Sequence, residues 1–380
     1  MPKLGNPCFV PERLTQSREY AGLPKNGLAR LADLSSASIG AYERGAQNPT
    51  DEVIERLAGS LNVTPALLTT VIDGPPVERV FWRKMARDTV QSQRRTTAYI
   101  QWACEAVARV EDYIELPPLN LPDFDVSNWT RLSERRIEEI AVQTRSYWGL
   151  GTGPIVDVTR VLESAGVPVL EFEVENRGQA GFTHPSDLLG RPVIGFNAFE
   201  QTNARQRFSL AHELGHLLLH RSVTDKDLAT AKLYRQIEDQ AHRFAAAFLF
   251  PHEAYVRTAR CHTLEEMASL KRTWGVAVLT QIKRSEQLQL ISQDRAQALF
   301  MQAGRRRFRR PFGEPWDRDT PLEKPNLLGR SVDLLRNEAP LSYAQLIDGM
   351  PFPQSVLQEA FGRSFMPVAD NVVQLRPRVV

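Results

Sequence analysis

The sequence predicts an α+β fold, mostly helical, in which an all-α N-terminal module precedes a larger domain built around a small sheet. Three observations carry this. Apolar residues recur at helical spacing through residues 23–68, two strongly apolar helical segments lie at 207–220 and 236–251, and two short stretches, 167–174 and 191–197, alternate as half-buried strands do. At 380 residues and 42% hydrophobic content the chain supports two or three domains with real cores. The expected boundaries are an N-terminal helical domain at 1–75, a helical connector and Pro-rich linker at 76–125, the larger domain at 126–320, and a C-terminal helical region and tail at 321–380.

Along the chain, Leu23-Pro24-Lys25, Leu28-Ala29, Leu31-Ala32, Leu34-Ser35, Ile39 and Tyr42-Glu43-Arg44-Gly45 space their apolar residues for two short helices joined by a tight turn. Ser35 suits the N-cap of the second. Val53, Ile54, Leu57, Ala58 and Leu61 form the next helix, before Val63-Thr64-Pro65. This pattern resembles an Xre/Cro-type helix-turn-helix, which implies that the helix from about Ser36 to Arg44 enters a DNA major groove. Ser36, Ala37, Ser38, Gly40 and Ala41 are expected at its exposed face, and all lack the bidentate groups that specify bases. Lys25, where the family commonly has Gln, and Arg44 are candidates for phosphate contact. Residues 1–72 carry Lys3, Arg13, Arg18, Lys25, Arg30, Arg44 and Arg56 against Glu12, Glu19, Asp33, Glu43, Asp51, Glu52 and Glu55. With charge so balanced, DNA affinity is expected to be modest or to rely on a homodimer.

Residues 77–114 read as helical, with Phe81, Trp82, Tyr99 and Trp102 expected to pack against the larger domain or a second subunit. Pro117-Pro118-Leu119-Asn120-Leu121-Pro122-Asp123 ends that stretch. Val167–Val174 and Arg191–Asn197 then read as strands.

The segment His212-Glu213-Leu214-Gly215-His216 carries the chemistry. Helical residues i and i+4 share a face, so His212 and His216 can hold one metal ion at about 2.0–2.1 Å from each nitrogen. Glu213 lies off that pair, placed to act as a general base on water activated by the metal. Phe208, Leu210, Ala211, Leu214, Leu217, Leu218 and Leu219 make the helix apolar, so it is expected to be buried. His220 is a poor third ligand, because four more residues raise the helix roughly 6 Å past the metal. It is expected near the helix end, where an imidazolium favours the macrodipole. Leu219 and Ser222 exclude the extended motif HExxHxxGxxH.

The third ligand is expected on the next helix, where Ile237, Phe244 and Phe248 recur at helical spacing. Glu238 shares a face with Ala241 and Ala245, whose small side chains permit close approach. Asp239 and His242 are its rivals. The run from Arg207 to His220, with Glu238, Ala241, Phe244, Ala245 and Leu249-Phe250-Pro251, resembles the ImmA/IrrE metallopeptidases. Upstream, Trp148-Gly149-Leu150-Gly151 and, downstream, Trp274-Gly275-Val276 extend the likeness to about 130–315. The resemblance implies a zincin-like fold of gluzincin type, with Zn2+ on His212, His216 and Glu238 and with Glu213 as base. His242 departs from the family, which usually has Asn there. It joins His184, Tyr234 and Tyr255 as second-shell or oxyanion-stabilising candidates. By analogy, Ile194–Asn197 is expected to form an edge strand along which a peptide substrate lies extended.

Arg305-Arg306-Arg307-Phe308-Arg309-Arg310 reads either as a patch for phosphate or an acidic partner, or as a solvated linker. Helices are expected at 326–335 and 343–361, followed by a mobile polar tail. A net charge of +2 argues against a globally basic nucleic-acid coat. Cys8, Cys104 and Cys261 have no CxxC spacing, so neither a disulfide framework nor a cysteine zinc site is suggested. With no signal peptide and no apolar run of about 18 residues, the chain is expected in the cytosol and off the membrane.

Together these features imply a regulatory zinc endopeptidase with a DNA-binding module. Its expected substrate is a transcriptional repressor or other regulator, in a stress, mobile-element or toxin–antitoxin setting. The alternative is a DNA-binding regulator or antitoxin whose metallopeptidase-like domain senses a signal or holds a partner without turnover.

Overall fold

The computed structural model describes residues 5–75, 77, 81–82, 90–175, 180–362 and 365. The chain divides into two compact units: Met1–Ile72 with Trp102–Glu115 and Leu328–Val380, and Asp73–Gln101 with Leu116–Leu327. Among the described residues no helix is long and apolar enough to cross a membrane.

The first unit opens with α1 (Pro11–Tyr20), α2 (Lys25–Leu31), α3 (Ser36–Glu43) and α4 (Asp51–Leu61), followed by a 3-10 turn at Pro65–Thr69. The Ser35 hydroxyl accepts the Ser38 amide at 2.9 Å and so caps α3. Asn62, in the left-handed region at φ 53°, ends α4. Leu14, Leu28, Ile39 and Leu57 are fully buried at the centre of this bundle. The segments 102–115 and 328–362, which the sequence reading set apart from the N-terminal domain, pack within this unit. Buried Arg13 donates to Glu105 at 3.0 and 2.5 Å, and Thr64 donates to the Pro351 carbonyl at 2.8 Å.

The connector differs from the expected continuous helix. Phe81–Trp82 form a strand, β1, and the helix α5 runs over Val90–Glu111. Residues 76, 78–80 and 83–89 lie outside the described residues.

The second unit holds α6 (Glu134–Tyr147), α7 (Val158–Ser164), β2 (Val169–Phe172), β3 (Gly181–His184), β4 (Val193–Asn197), α8 (Asn203–Leu219), α9 (Asp225–Ala229), α10 (Ala231–Leu249), α11 (His252–Thr258), α12 (Leu264–Trp274), α13 (Val278–Gln287) and α14 (Gln293–Arg305). The sheet order is β1-β3-β4-β2, with β2 parallel to β4 and the other pairs antiparallel. β4 is therefore an interior strand, which corrects the expectation that Ile194–Asn197 offers an edge to a peptide. Both its ladders are taken, by Val169–Phe172 on one side and Gly181–His184 on the other. Leu210 and Leu214 of α8, Phe244 and Phe248 of α10, and Val169, Ile194 and Phe196 of the sheet share one core. The catalytic-type motif is thus held between sheet and helix.

Phe308 is buried beside Leu264, Met267 and Ile282, while its five neighbouring arginines are exposed. C-terminal helices occupy α15 (Leu327–Glu338), α16 (Pro340–Asp348) and α17 (Gln354–Phe361). The expected tail from 366 onward lies outside the described residues.

Candidate metal centre

Two adjacent helices bring three donor groups together. His212 and His216 lie one turn apart on α8 with Nε2 atoms 3.0 Å apart. Glu238 on α10 places its two carboxylate oxygens 3.5 Å from those nitrogens, one on each. A tetrahedral ion with bonds of about 2.0–2.1 Å has donor–donor edges of about 3.3 Å. The separations found here, 3.0 Å between the two nitrogens and 3.5 Å from each nitrogen to its own carboxylate oxygen, lie close to that edge length.

Charge points the same way. Burial, reinforced by the neighbouring His242, pushes the His212 imidazole well below its ordinary range, so it stands neutral. Burial alone raises the Glu238 carboxyl, but the adjoining His212 and His216 rings outweigh it and hold the group well below the usual carboxylate range. Two imidazoles and a carboxylate converging on one point are the donor set of a divalent cation.

The approach of α8 and α10 rests on small residues. Ala241 and Ala245 of α10 are fully buried, and a Cβ on Gly215 would stand 3.3 Å from the Ala241 backbone.

The Glu213 carboxylate is held by the sheet. Glu213 is 1% exposed, and its Oε2 accepts the Thr183 hydroxyl of β3 at 2.6 Å. A Cβ at Gly181, two residues back on the same strand face, would lie 3.1 Å from Oε1. Glycine therefore leaves that oxygen room. Sequence reasoning missed Thr183 and Gly181 because β3 itself was not predicted.

The rival ligands separate. Asp239 is exposed and faces away. His242 is half-buried, donates Nδ1–H to the Glu238 carbonyl at 2.6 Å, and sets its ring 4.5 Å from that of His212. Ligand atoms of His212, Glu238 and His242 also lie within 4.8 Å of one another, so His242 borders the same metal position. It lines a cleft of about 510 Å³ with Asn197, Phe199, Phe208 and Ala246.

The remaining candidates behave differently. Tyr234 is half-buried one turn before Glu238 on α10. His184 follows Thr183 on β3 and so points to the opposite side of the sheet from Glu213. Tyr255 is fully buried, and its hydroxyl bonds the Gln281 carbonyl at 2.9 Å and Ser285 at 2.6 Å. Burial pushes that hydroxyl up to about 12. Neither His184 nor Tyr255 thus serves the metal position. His220 corrects the macrodipole reading: it caps α8 but is fully buried, and burial holds its ring down to about 3, so it is neutral.

On the first unit, Ser36, Ala37 and Arg44 are exposed, and Ser38 and Ala41 are half-buried. Gly40, expected at the exposed face, is buried, because the Arg44 guanidinium lies 3.1 Å from where its Cβ would stand. Lys25 reaches Glu43 at 2.9 Å, and Ser35 caps the helix.

A helix pair presenting His-Glu-x-x-His and a facing glutamate defines a metallopeptidase-like domain, and α1–α4 define a helix-turn-helix. Comparison with known families agrees: residues 162–284 match the IrrE N-terminal-like domain, and residues 12–71 match a helix-turn-helix domain. The chain therefore fuses these two domains, as both resemblances implied. No curated protein matches the chain.

Proposed function

We propose that this chain is a regulatory zinc endopeptidase that carries its own DNA-binding module and cleaves a regulator protein, a helix-turn-helix repressor being the expected class. The observation carrying this reading is the convergence of His212, His216 and Glu238 beside Glu213, a base that Thr183 orients. Zinc bound there supplies a Lewis acid that polarises a carbonyl and acidifies water. Glu213 takes a proton from water at Oε1, the oxygen for which Gly181 makes room, and hands it to the leaving amine. Thr183 keeps Oε2 fixed throughout. His242 stands at the cleft edge beside this site, its Nδ1–H committed to the Glu238 carbonyl. On the first unit, Ser36, Ala37 and Arg44 face the DNA, with Arg44 on phosphate. The cytosol is the compartment that fits a DNA-bound peptidase.

A second reading is supported by one specific observation. His242 is within ligand distance of the same position, and a fourth protein ligand closes a zinc site, as in structural centres. The domain then acts as a sensor without turnover. Incubating wild type and Glu213→Gln with proteins encoded beside the gene separates the readings. Cleavage by wild type alone, with equal zinc in both, supports the peptidase. Stoichiometric zinc in both and no cleavage under inducing conditions, with cobalt spectra showing four protein ligands that become three in His242→Ala, supports the sensor.

A further inference from the structure

We propose that His220 and Gln240 are positioning residues that set the tautomer of His216 so that its Nε2 presents a lone pair to the metal; this rests on His216 being a ligand. The chain of hydrogen bonds can be followed from an end that has no choice. The Trp129 carbonyl only accepts, so Gln240 donates to it from Nε2 at 2.9 Å, which turns the amide oxygen the other way. That oxygen only accepts, and it lies 3.0 Å from His220 Nε2, so His220 carries its proton there. A neutral imidazole protonated at Nε2 has its lone pair on Nδ1. His220 Nδ1 lies 3.0 Å from His216 Nδ1, so His216 must donate at this contact and keep Nε2 unprotonated.

Packing holds the chain rigid. His216, His220, Gln240 and Trp129 are 2%, 0%, 6% and 4% exposed, and the Trp129 ring stands edge-on to His220 at 6.1 Å. The proton order therefore runs from the turn at Trp129–Arg131 through α10 to α8, tying the metal ligand to the start of the domain. The five-residue motif contains none of these three residues, yet they decide which nitrogen of its second histidine is free to bind.

The test uses full-length protein and two substitutions with opposite consequences. His220→Phe keeps the ring and its packing but removes the acceptor. His220→Asn loses volume but places Oδ1 where Nδ1 stood. The proposal expects zinc affinity, measured by chelator competition, to fall about 10–100-fold in His220→Phe and to stay within a few-fold of wild type in His220→Asn. The reverse order assigns His220 a packing role and overturns the proposal. Two-bond nitrogen–proton spectra of the apo wild type give an independent reading: His216 protonated at Nδ1 is expected, and the Nε2–H tautomer refutes the idea whether or not the variants fold. Zinc retained in His216→Ala instead overturns the ligand assignment beneath it.

Discussion

Replacing Gly215 with alanine sets helix propensity against helix packing at the metal centre. Alanine in a helix interior gains about 1 kcal/mol over glycine. Its Cβ, however, would lie 3.2 Å from Phe244 Cδ1 and 3.3 Å from both Cα and O of Ala241, inside the usual contact range of about 3.5–4.0 Å. Two of these three atoms are backbone and cannot rotate away, so α8 and α10 must part by a few tenths of an ångström. Overpacking of this kind costs about 1–3 kcal/mol. The net expectation is a loss of up to about 2 kcal/mol. A metal held by all three side chains would bridge the two helices, and parting them stretches the 3.5 Å contacts from Glu238 to His212 and His216. A strain of about 1–2 kcal/mol that binding must overcome weakens zinc by roughly 5–30-fold. Chelator competition and thermal unfolding of the apo and zinc-loaded chain measure both effects. Gly304→Ala, on α14, is the control: its Cβ meets nothing within 4 Å, so only the propensity gain remains. If Gly215→Ala stabilises the apo protein like the control and leaves zinc affinity unchanged, the close approach of these helices is not what organises the site.

Three further expectations follow from the rest of the molecule. Burial raises the Glu163 carboxyl to about 7 against hydrogen bonds from Leu327 and Asn326, so its contribution is fully present below its unfolded value, 4.5, and is lost as pH rises through about 7. Denaturant titrations across that window should show a decline on the order of 3 kcal/mol that Glu163→Gln abolishes, and an unchanged slope in the variant rejects the assignment. Arg13→Ala leaves the fully buried Glu105 carboxylate without its guanidinium and should destabilise the first unit by about 3–5 kcal/mol. The double replacement Arg13→Met with Glu105→Leu should recover most of this in equilibrium unfolding, and failure to do so means the pair itself is not responsible. Arg44→Ala should lower the salt dependence of DNA binding by about one counterion, whereas an identical slope takes Arg44 off the phosphate backbone.

The parts of this architecture that the sequence anticipated are those set by short spacing. His212 and His216 share a face because the helix repeats every 3.6 residues, and Glu238 stands on the face of Ala241 and Ala245 for the same reason. Ser35 caps α3 because a hydroxyl three residues before an amide is a local event. The strands at 169–172 and 193–197 were visible as alternation, but β3 was not: Gly181-Phe182-Thr183-His184 is too short and mixed to show a period. With it went Thr183, the partner of Glu213, and the true place of β4 inside the sheet.

By itself, then, the sequence determined the two domain types and placed His212, Glu213, His216 and Glu238 on two helices, since each placement depends on contacts within a turn or two. Tertiary structure alone decided what lies across from them. It withdrew His184 and Tyr255 from the site, turned His220 from a charged cap into a buried neutral link, and gathered residues 102–115 and 328–362 around the helix-turn-helix. The physical reason is that a hydrogen bond such as Gln240 to Trp129 joins residues 111 positions apart, and no local period records which distant group will complete a buried polar atom.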